Sequence, residues 1–313
     1  MTTPRCTACD GATTPAFDHD GHAFHRCRNR SCRHVFVHPA PSDEELVRIY
    51  DGADSHIGNS NSWTVADDYA RNPELIRQQI RGGRIASLRR DAPGSDDRAT
   101  AILDVGCSSG MLLRVLKDMG YMHLMGMDLS PTAAAFVRET HGIPCADRLQ
   151  DVPDATFDII TCFAILEHVA DPAGFVRALS AKLRPGGRLV ALSPNYDSVY
   201  RRLAGRAWVW LIPPIHLQYF SPESFCQVCR RGGLAVERMR TTYANTYLYL
   251  LVHHLTRAIG RDMPSTSRTR GAGSMAVIDA VEALLRWCLA PGRAVAYWFD
   301  KGAEVMAVAR RVD

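Results

Sequence analysis

The sequence predicts a doubly wound α/β fold built on a mostly parallel sheet. From residue 101 onward, apolar runs of strand length alternate with stretches of helical periodicity. The runs are mostly apolar, as in strands covered on both faces. The first run ends in a glycine-rich turn that opens a helix, the kind of junction at which such sheets bind ligands.

The elements follow in order. Ala101–Val105 is a strand and 111–119 a helix. His123–Met127 is a second strand and 131–141 a second helix. Phe157–Phe163 is a third clear strand, followed by a helix over 172–183 and a strand over 188–193. A helix over 221–231 meets Gly232-Gly233, a pair suited to a helix C-terminus. Segments 234–239 and 304–308 are the last strands. Between them lies an insertion, with apolar stretches 243–259 and 275–299 around a polar linker, 261–274. Trp208, Val209, Trp210, Leu211 and Ile212 read as another exposed apolar patch.

Upstream of the alternating region, Val35–Val37 is a short extended piece before a proline-rich turn. Ser42 has the character of a helix N-cap, with Glu45 three residues later. Residues 51–68 are polar loop, Asn72-Pro73 can open a helix, and 92–99 is a linker.

Composition narrows the function classes. The chain has 313 residues, of which 46% are apolar and 22% charged, an ordinary globular balance. Its 37 basic and 33 acidic residues leave a net charge of +4, too small to argue for nucleic acid. The N-terminus lacks an apolar signal core, and no stretch reaches the ~18 apolar residues of a spanning helix. The expectation is a soluble, cytoplasmic protein without a transmembrane segment. In that setting ten cysteines point to metal or free thiols rather than disulfides.

Four of the cysteines lie close to the N-terminus, as Cys6-x2-Cys9 and Cys27-x4-Cys32. Two short-spaced pairs suit a tetrahedral zinc ion, and four thiolates close the coordination shell, so the site reads as structural. His25 and His34 are near enough to replace one ligand. Cys226-x2-Cys229 lies on a predicted helix without a second pair and reads as core thiols.

The glycine turn is Leu103-Asp104-Val105-Gly106-Cys107-Ser108-Ser109-Gly110. It lacks the G-x-G-x-x-G spacing of a dinucleotide site. Asp104 before the turn would repel phosphate but suits a cationic or zwitterionic ligand, and S-adenosylmethionine (SAM) is one. About twenty residues on, Asp128 ends the next strand, where a carboxylate can accept ribose hydroxyls. Asp147 follows at a third strand end.

These segments resemble the class I SAM-dependent methyltransferases. LDVGCSSG resembles the family's first motif and GMDLS its acidic second. ADRLQDVPDATFDIITCFAILEHVADP resembles the central block and LRPGGRLVALSPN the later one. The likeness is close from 101 to 195 and looser beyond. It implies the seven-stranded methyltransferase fold. By position, Asp104, Gly106, Cys107 and Gly110 would line the methionine end of SAM, and Asp128 would hold the ribose. Leu129 and Asp147 would flank the adenine, and Phe163 and Ala164 would close over the cofactor. Tyr69 is a further candidate contact. Ser108 stands where many members carry glycine. The paired cysteines followed by VFVHPAPSDEELVRIY resemble a subgroup with an N-terminal zinc ribbon, often linked to tailoring of sugars or secondary metabolites.

Methyl transfer is an in-line displacement that rests on alignment, and an oxygen acceptor usually needs a base within reach. His216, in a segment resembling the family's H-x-x-Y-F-S, and His168, beside Glu167, are the candidate catalytic residues. Asn195, Tyr196 and Tyr219 are candidate acceptor contacts. The expected function is methylation, at oxygen, of a small-molecule acceptor. Two alternatives stay open. One is an RNA methyltransferase with a zinc module, for which Arg26, Arg28, Arg30, Arg33 and His34 speak. The other is an N- or C-methyltransferase of a natural product. The expected organisation is a zinc-ribbon lobe (1–50), a connecting loop and helix over the cofactor site (51–98), a SAM-binding core (99–240), a helical insertion (241–300) and the last core strand (301–313). The insertion reads as an interface for a homodimer or as a lid over an apolar acceptor.

Overall fold

The computed structural model describes residues 3–42, 45, 98–242 and 301–312. The expectations for Tyr69, for most of the connecting segment and for the insertion fall outside these residues. Among them, no helix is long and apolar enough to cross a membrane.

Seven strands form the main sheet. They are β4 (Ala101–Val105), β5 (His123–Met127), β6 (Cys145–Ala146), β7 (Phe157–Phe163), β8 (Leu183–Pro194), β10 (Leu234–Thr242) and β11 (Glu304–Arg311), in the spatial order β10-β11-β8-β7-β4-β5-β6. β4 pairs in parallel with β5 and β7, β5 with β6, and β7 with β8. β11 runs antiparallel to both its neighbours.

Successive side chains of a strand point to opposite faces, and two apolar layers result. Ile102, Ile159, Val190 and Met306 pack with α1 (Met111–Asp118) and α2 (Pro131–Phe136) on one side. Leu103, Ile160, Leu189 and Val305 pack with α3 (Pro172–Lys182) and α5 (Pro222–Arg231) on the other. The sheet is covered on both faces, which is why its strands carry continuous apolar runs. Three helices open with the same chemistry. Ser130, Asp171 and Ser221 cap the first turn, and a proline follows each. The cap side chain takes an otherwise unpaired backbone N–H, and proline has none to lose there.

The expected strand at 188–193 starts earlier, at Leu183, because α3 runs directly into it and Gly187 sits against the Phe157 and Arg184 carbonyls. The expected helix over 131–141 is α2 followed by a wider turn, Val137–His141.

A second sheet joins the N-terminal lobe to the core. β1 (Thr13–His19), β2 (His22–Cys27) and β3 (Val35–Val37) form a meander, and β9 (Gln218–Tyr219) adds antiparallel to β3. Trp208 and Leu211 are not an exposed patch. They are buried with Phe24, Val35, Val37, Leu217 and Tyr219 under this second sheet. α4 (Val199–Ala204) leads into that cluster. Ser42 and Glu45 make the expected reciprocal pair: each backbone N–H donates to the other's side chain, at 2.8 and 3.2 Å.

Candidate active site

The chain passes from β4 outward to β5 and β6, then returns to the other side of β4 for β7. Such a reversal opens a crevice at the carboxyl ends of the strands. Asp104, Asp128, Asp147 and the Glu167-His168 pair all lie there, each at or after the end of a different strand.

Asp104 is buried, 4% exposed, and its Oδ1 accepts a 2.6 Å hydrogen bond from Thr161 on the adjacent strand. The turn beyond it takes left-handed backbone at Gly106 (φ 70°), Ser108 (φ 52°) and Gly110 (φ 70°). A Cβ on Gly106 would lie 2.0 Å from Ile165 Cδ1, so glycine is required there on both conformational and steric grounds. Ser108 adopts the same region with a side chain, an energetic cost that glycine would avoid. Cys107 is buried beneath the turn, its sulfur 3.6 Å from that of Cys145.

The Asp128 carboxylate holds the turn. Oδ2 accepts from the Ser108 N–H at 2.7 Å and Oδ1 from the Ser130 N–H at 3.0 Å. Leu129, beside it, is 60% exposed, unusual for a large apolar residue next to a crevice. Asp147 pairs with Arg138 at 2.9 Å. Phe163 is buried at the end of β7, while Ala164 is exposed with φ 57°.

Glu167, His168 and His216 converge. Each offers a ligand-type atom, and these atoms lie within 4.8 Å of one another. The histidine rings meet at 77° with centroids 4.8 Å apart. His168 Nδ1 donates to the Ile215 carbonyl and His216 Nδ1 to the Trp210 carbonyl, both at 2.9 Å. Glu167 is 1% exposed and accepts from the Ser193 hydroxyl at 2.9 Å. Burial pushes its carboxyl up to about 8, against the opposing effects of its own backbone N–H and Ser193. Burial also lowers both histidines, His168 against its carbonyl contacts with Ile215 and Ala164, and His216 with His168 adding to the effect.

The candidate acceptor contacts have much of their polar capacity spent inside the protein. Asn195 donates to the Gly302 carbonyl and accepts from the Asp197 N–H. The Tyr219 hydroxyl donates to the His216 carbonyl at 3.0 Å. Tyr196 is half-buried, with its hydroxyl engaged by Arg201 and its ring against Trp208 and Tyr219.

The four N-terminal cysteines come together, with sulfurs mutually within 4.8 Å, 3.8 Å for Cys6–Cys32 and 3.4 Å for Cys9–Cys27. A tetrahedron with bonds of about 2.3 Å has edges of about 3.8 Å, so the sulfurs match a four-thiolate shell. The Cys32 thiol stabilises the Cys6 thiolate, lowering it to about 5. His34 is not among the cluster's ligand atoms. Its Nε2 meets Gln218 Oε1 at 2.9 Å.

Three contributors were not legible from motifs. Thr161 is a polar residue within an apolar strand, in register with Asp104, and that pairing was the signal. His141 supports the turn by donating from Nε2 to the Ser109 carbonyl at 2.8 Å. Gln218 ties the lobe to the core. Its Oε1 accepts from Thr7 and meets His34, and its Nε2 donates to the carbonyls of Val169 and Ala170.

The architecture is that of a doubly wound α/β protein with a ligand crevice at the carboxyl edge. Residues 76–238, more than half of the chain, match the model of the methyltransferase domain family. The chain belongs to that family. It is 31% identical over 162 residues to a ubiquinone biosynthesis O-methyltransferase of Methylobacterium sp. (strain 4-46), covering 47% of this chain and 65% of that protein. It is 28% identical over 155 residues to the protein of the same description from Aeromonas salmonicida (strain A449), covering 44% and 64%. The chain thus spans just under two thirds of these relatives. A SAM-dependent methyltransferase structure from Archaeoglobus fulgidus aligns over 76% of this chain and 98% of its own, with 19% identity and a TM-score of 0.44.

Proposed function

We propose that the chain is a SAM-dependent methyltransferase acting on an oxygen of a small-molecule acceptor, a sugar or secondary metabolite. The observation that carries this is the pairing of Asp104 and Asp128 across a left-handed glycine turn at the sheet's reversal point. Asp104, Gly106, Cys107 and Gly110 would hold the methionine end of SAM, Asp128 the ribose, and Leu129 and Asp147 the adenine. Bound there, SAM supplies an electrophilic methyl group on a sulfonium. A carboxylate at Asp104 would favour that cationic end, and the exposed Leu129 offers apolar area to a planar base.

Oxygen as acceptor is supported by His216 and His168 beside Glu167, where a hydroxyl proton can be received. His216, with Nδ1–H spent on Trp210, offers Nε2 as the accepting nitrogen. The relatives named for O-methylation in ubiquinone biosynthesis support the same choice. Asn195 and Tyr219 would shape the acceptor wall, and Tyr196 would line it. The four thiolates would hold a structural zinc ion that fastens the lobe.

Calorimetric titration with SAM, then transfer from methyl-labelled SAM to a panel of hydroxylated sugars and phenols, tests the reading. Micromolar SAM binding is expected, with His216→Ala and His168→Ala keeping it while losing turnover. Full turnover in both variants would move the acceptor to nitrogen or carbon. Arg26, Arg28, Arg30 and Arg33 are all exposed on the lobe, which favours RNA as the second reading. RNA protection of SAM turnover with a steep salt slope would establish that reading instead.

A further inference from the structure

We propose that Arg201 and the aromatic side chains around it bind an anionic group, a carboxylate or a phosphate, carried on a flat apolar acceptor. The site lies where β8 ends, beside the loop that brings His216 to the crevice. Tyr196 follows β8, and its N–H donates to the Phe220 carbonyl at 2.7 Å. Its ring meets Tyr219 with centroids 5.6 Å apart, and the Tyr219 hydroxyl donates to the His216 carbonyl. Arg201 lies over Tyr196, so it borders the segment that carries His216.

Arg201 is held in place, yet its charge is unmatched. The guanidinium carbon stands 4.0 Å from the centre of the Tyr196 ring, and Nη2 donates to the Tyr196 hydroxyl. Nε is buried and has no hydrogen-bond partner among the described residues. An aromatic face attracts a guanidinium, but a ring and a hydroxyl supply no negative charge. A partly buried charge is costly unless paired. The two Nη groups form the accessible end of the fork, the geometry that takes a carboxylate or a phosphate through parallel hydrogen bonds.

The local charge balance points the same way. Residues 195–212 carry three arginines and one acid, Asp197. That acid is already shared: Arg202 holds one oxygen at 2.6 Å and Lys301 the other. Arg206 lies over the Phe17 ring at 5.5 Å. Among the described residues neither Arg201 nor Arg206 pairs with a carboxylate. This positive region adjoins an aromatic wall. Trp208 meets Tyr196 with centroids 5.8 Å apart, and Trp210 stacks on His216 at 5.8 Å and 16°. The wall suits a flat apolar body and the guanidinium an anion at its edge, whereas a neutral acceptor would leave Arg201 unmatched. That the anion belongs to the methyl acceptor rests on the oxygen-acceptor reading above; anion binding at Arg201 does not.

Ligand-observed NMR on the full chain tests this with benzoate, phenyl phosphate and neutral benzamide, and with inorganic phosphate as a fourth probe. At least one aromatic anion should bind about tenfold tighter than benzamide or more, and the tighter of the two names the group. Arg201→Met should erase that preference and leave benzamide binding as it was. Arg201→Lys keeps the charge without the fork and should retain part of the preference. Arg201→Gln replaces Arg201→Met if the latter does not melt cooperatively. The proposal is overturned if neither anion is preferred over benzamide, or if the preference survives loss of the Arg201 charge. It is equally overturned if benzamide weakens by the same factor in the variant, or if inorganic phosphate binds as tightly as the preferred aromatic anion. Titration of the same samples with SAM reads the cofactor assignment separately. Anion binding without SAM binding would refute that assignment and leave the Arg201 site standing; SAM binding without anion preference would do the reverse.

Discussion

Gly106→Ala isolates what the glycine turn requires. The residue sits at φ 70°, and an added Cβ meets Ile165 Cδ1 at 2.0 Å and Cγ1 at 2.6 Å. Left-handed backbone costs a non-glycine residue about 1–2 kcal/mol. Ile165 must also rotate away, and overpacking of this kind costs about 1–3 kcal/mol. Together these give about 2–5 kcal/mol, or a fall in Tm of about 3–8 °C at this chain length. The assay is thermal melting by circular dichroism, with calorimetric titration of SAM on the same samples. Adding Ile165→Ala removes the clash but not the backbone strain. The double variant should therefore be less destabilised than the two single changes combined, by about 1–3 kcal/mol. If Gly106→Ala melted within about 1 °C of the wild type, or the two changes were additive, the steric account would be refuted.

Other outcomes follow from the same contacts. Asp128→Asn keeps the size but places an amide group where two backbone N–H groups donate, so SAM affinity should fall at least about tenfold by titration. Chelation of the purified chain, or Cys6→Ser, should release zinc by elemental analysis and lower Tm by melting of the lobe; an unchanged Tm with no metal found would refute a zinc staple. Burial alone would raise Asp197, but Lys301 and Arg202 outweigh it and hold the carboxyl below its ordinary value. Its stabilisation is therefore present above the unfolded pKa of about 3.9 and is lost as pH falls through the lower folded value. Asp197→Asn should melt lower than the wild type at neutral pH, and the gap should narrow below about pH 4.

The core was legible where burial dictates composition. Ala101–Val105 and Phe157–Phe163 have the predicted bounds because short, mostly apolar runs bounded by turn residues read as buried strands at that length. The N-terminal hairpin was missed because its strands carry His, Asp and Arg among few apolar residues. Asp20-Gly21, both with positive φ, was the available signal, since that dipeptide favours a two-residue hairpin turn. β9 spans two residues, too short for any periodicity. In the site, the strand-end acids were visible from spacing. The meeting of Glu167 and His168 with His216 was not, because it depends on where a later loop returns.

The four-bonded amide of Gln218 has a consequence for how the chain is made. Its partner His34 lies 184 residues earlier, and Gln218 itself belongs to the strand that completes the N-terminal sheet. Of the two sheets, the one nearer the N-terminus leaves the ribosome earlier but lacks its last strand until β9 has been made. Contacts this distant in sequence close late, after the intervening segments are ordered. The small sheet, though translated before the main one, is thus among the last of the described parts to reach its final form.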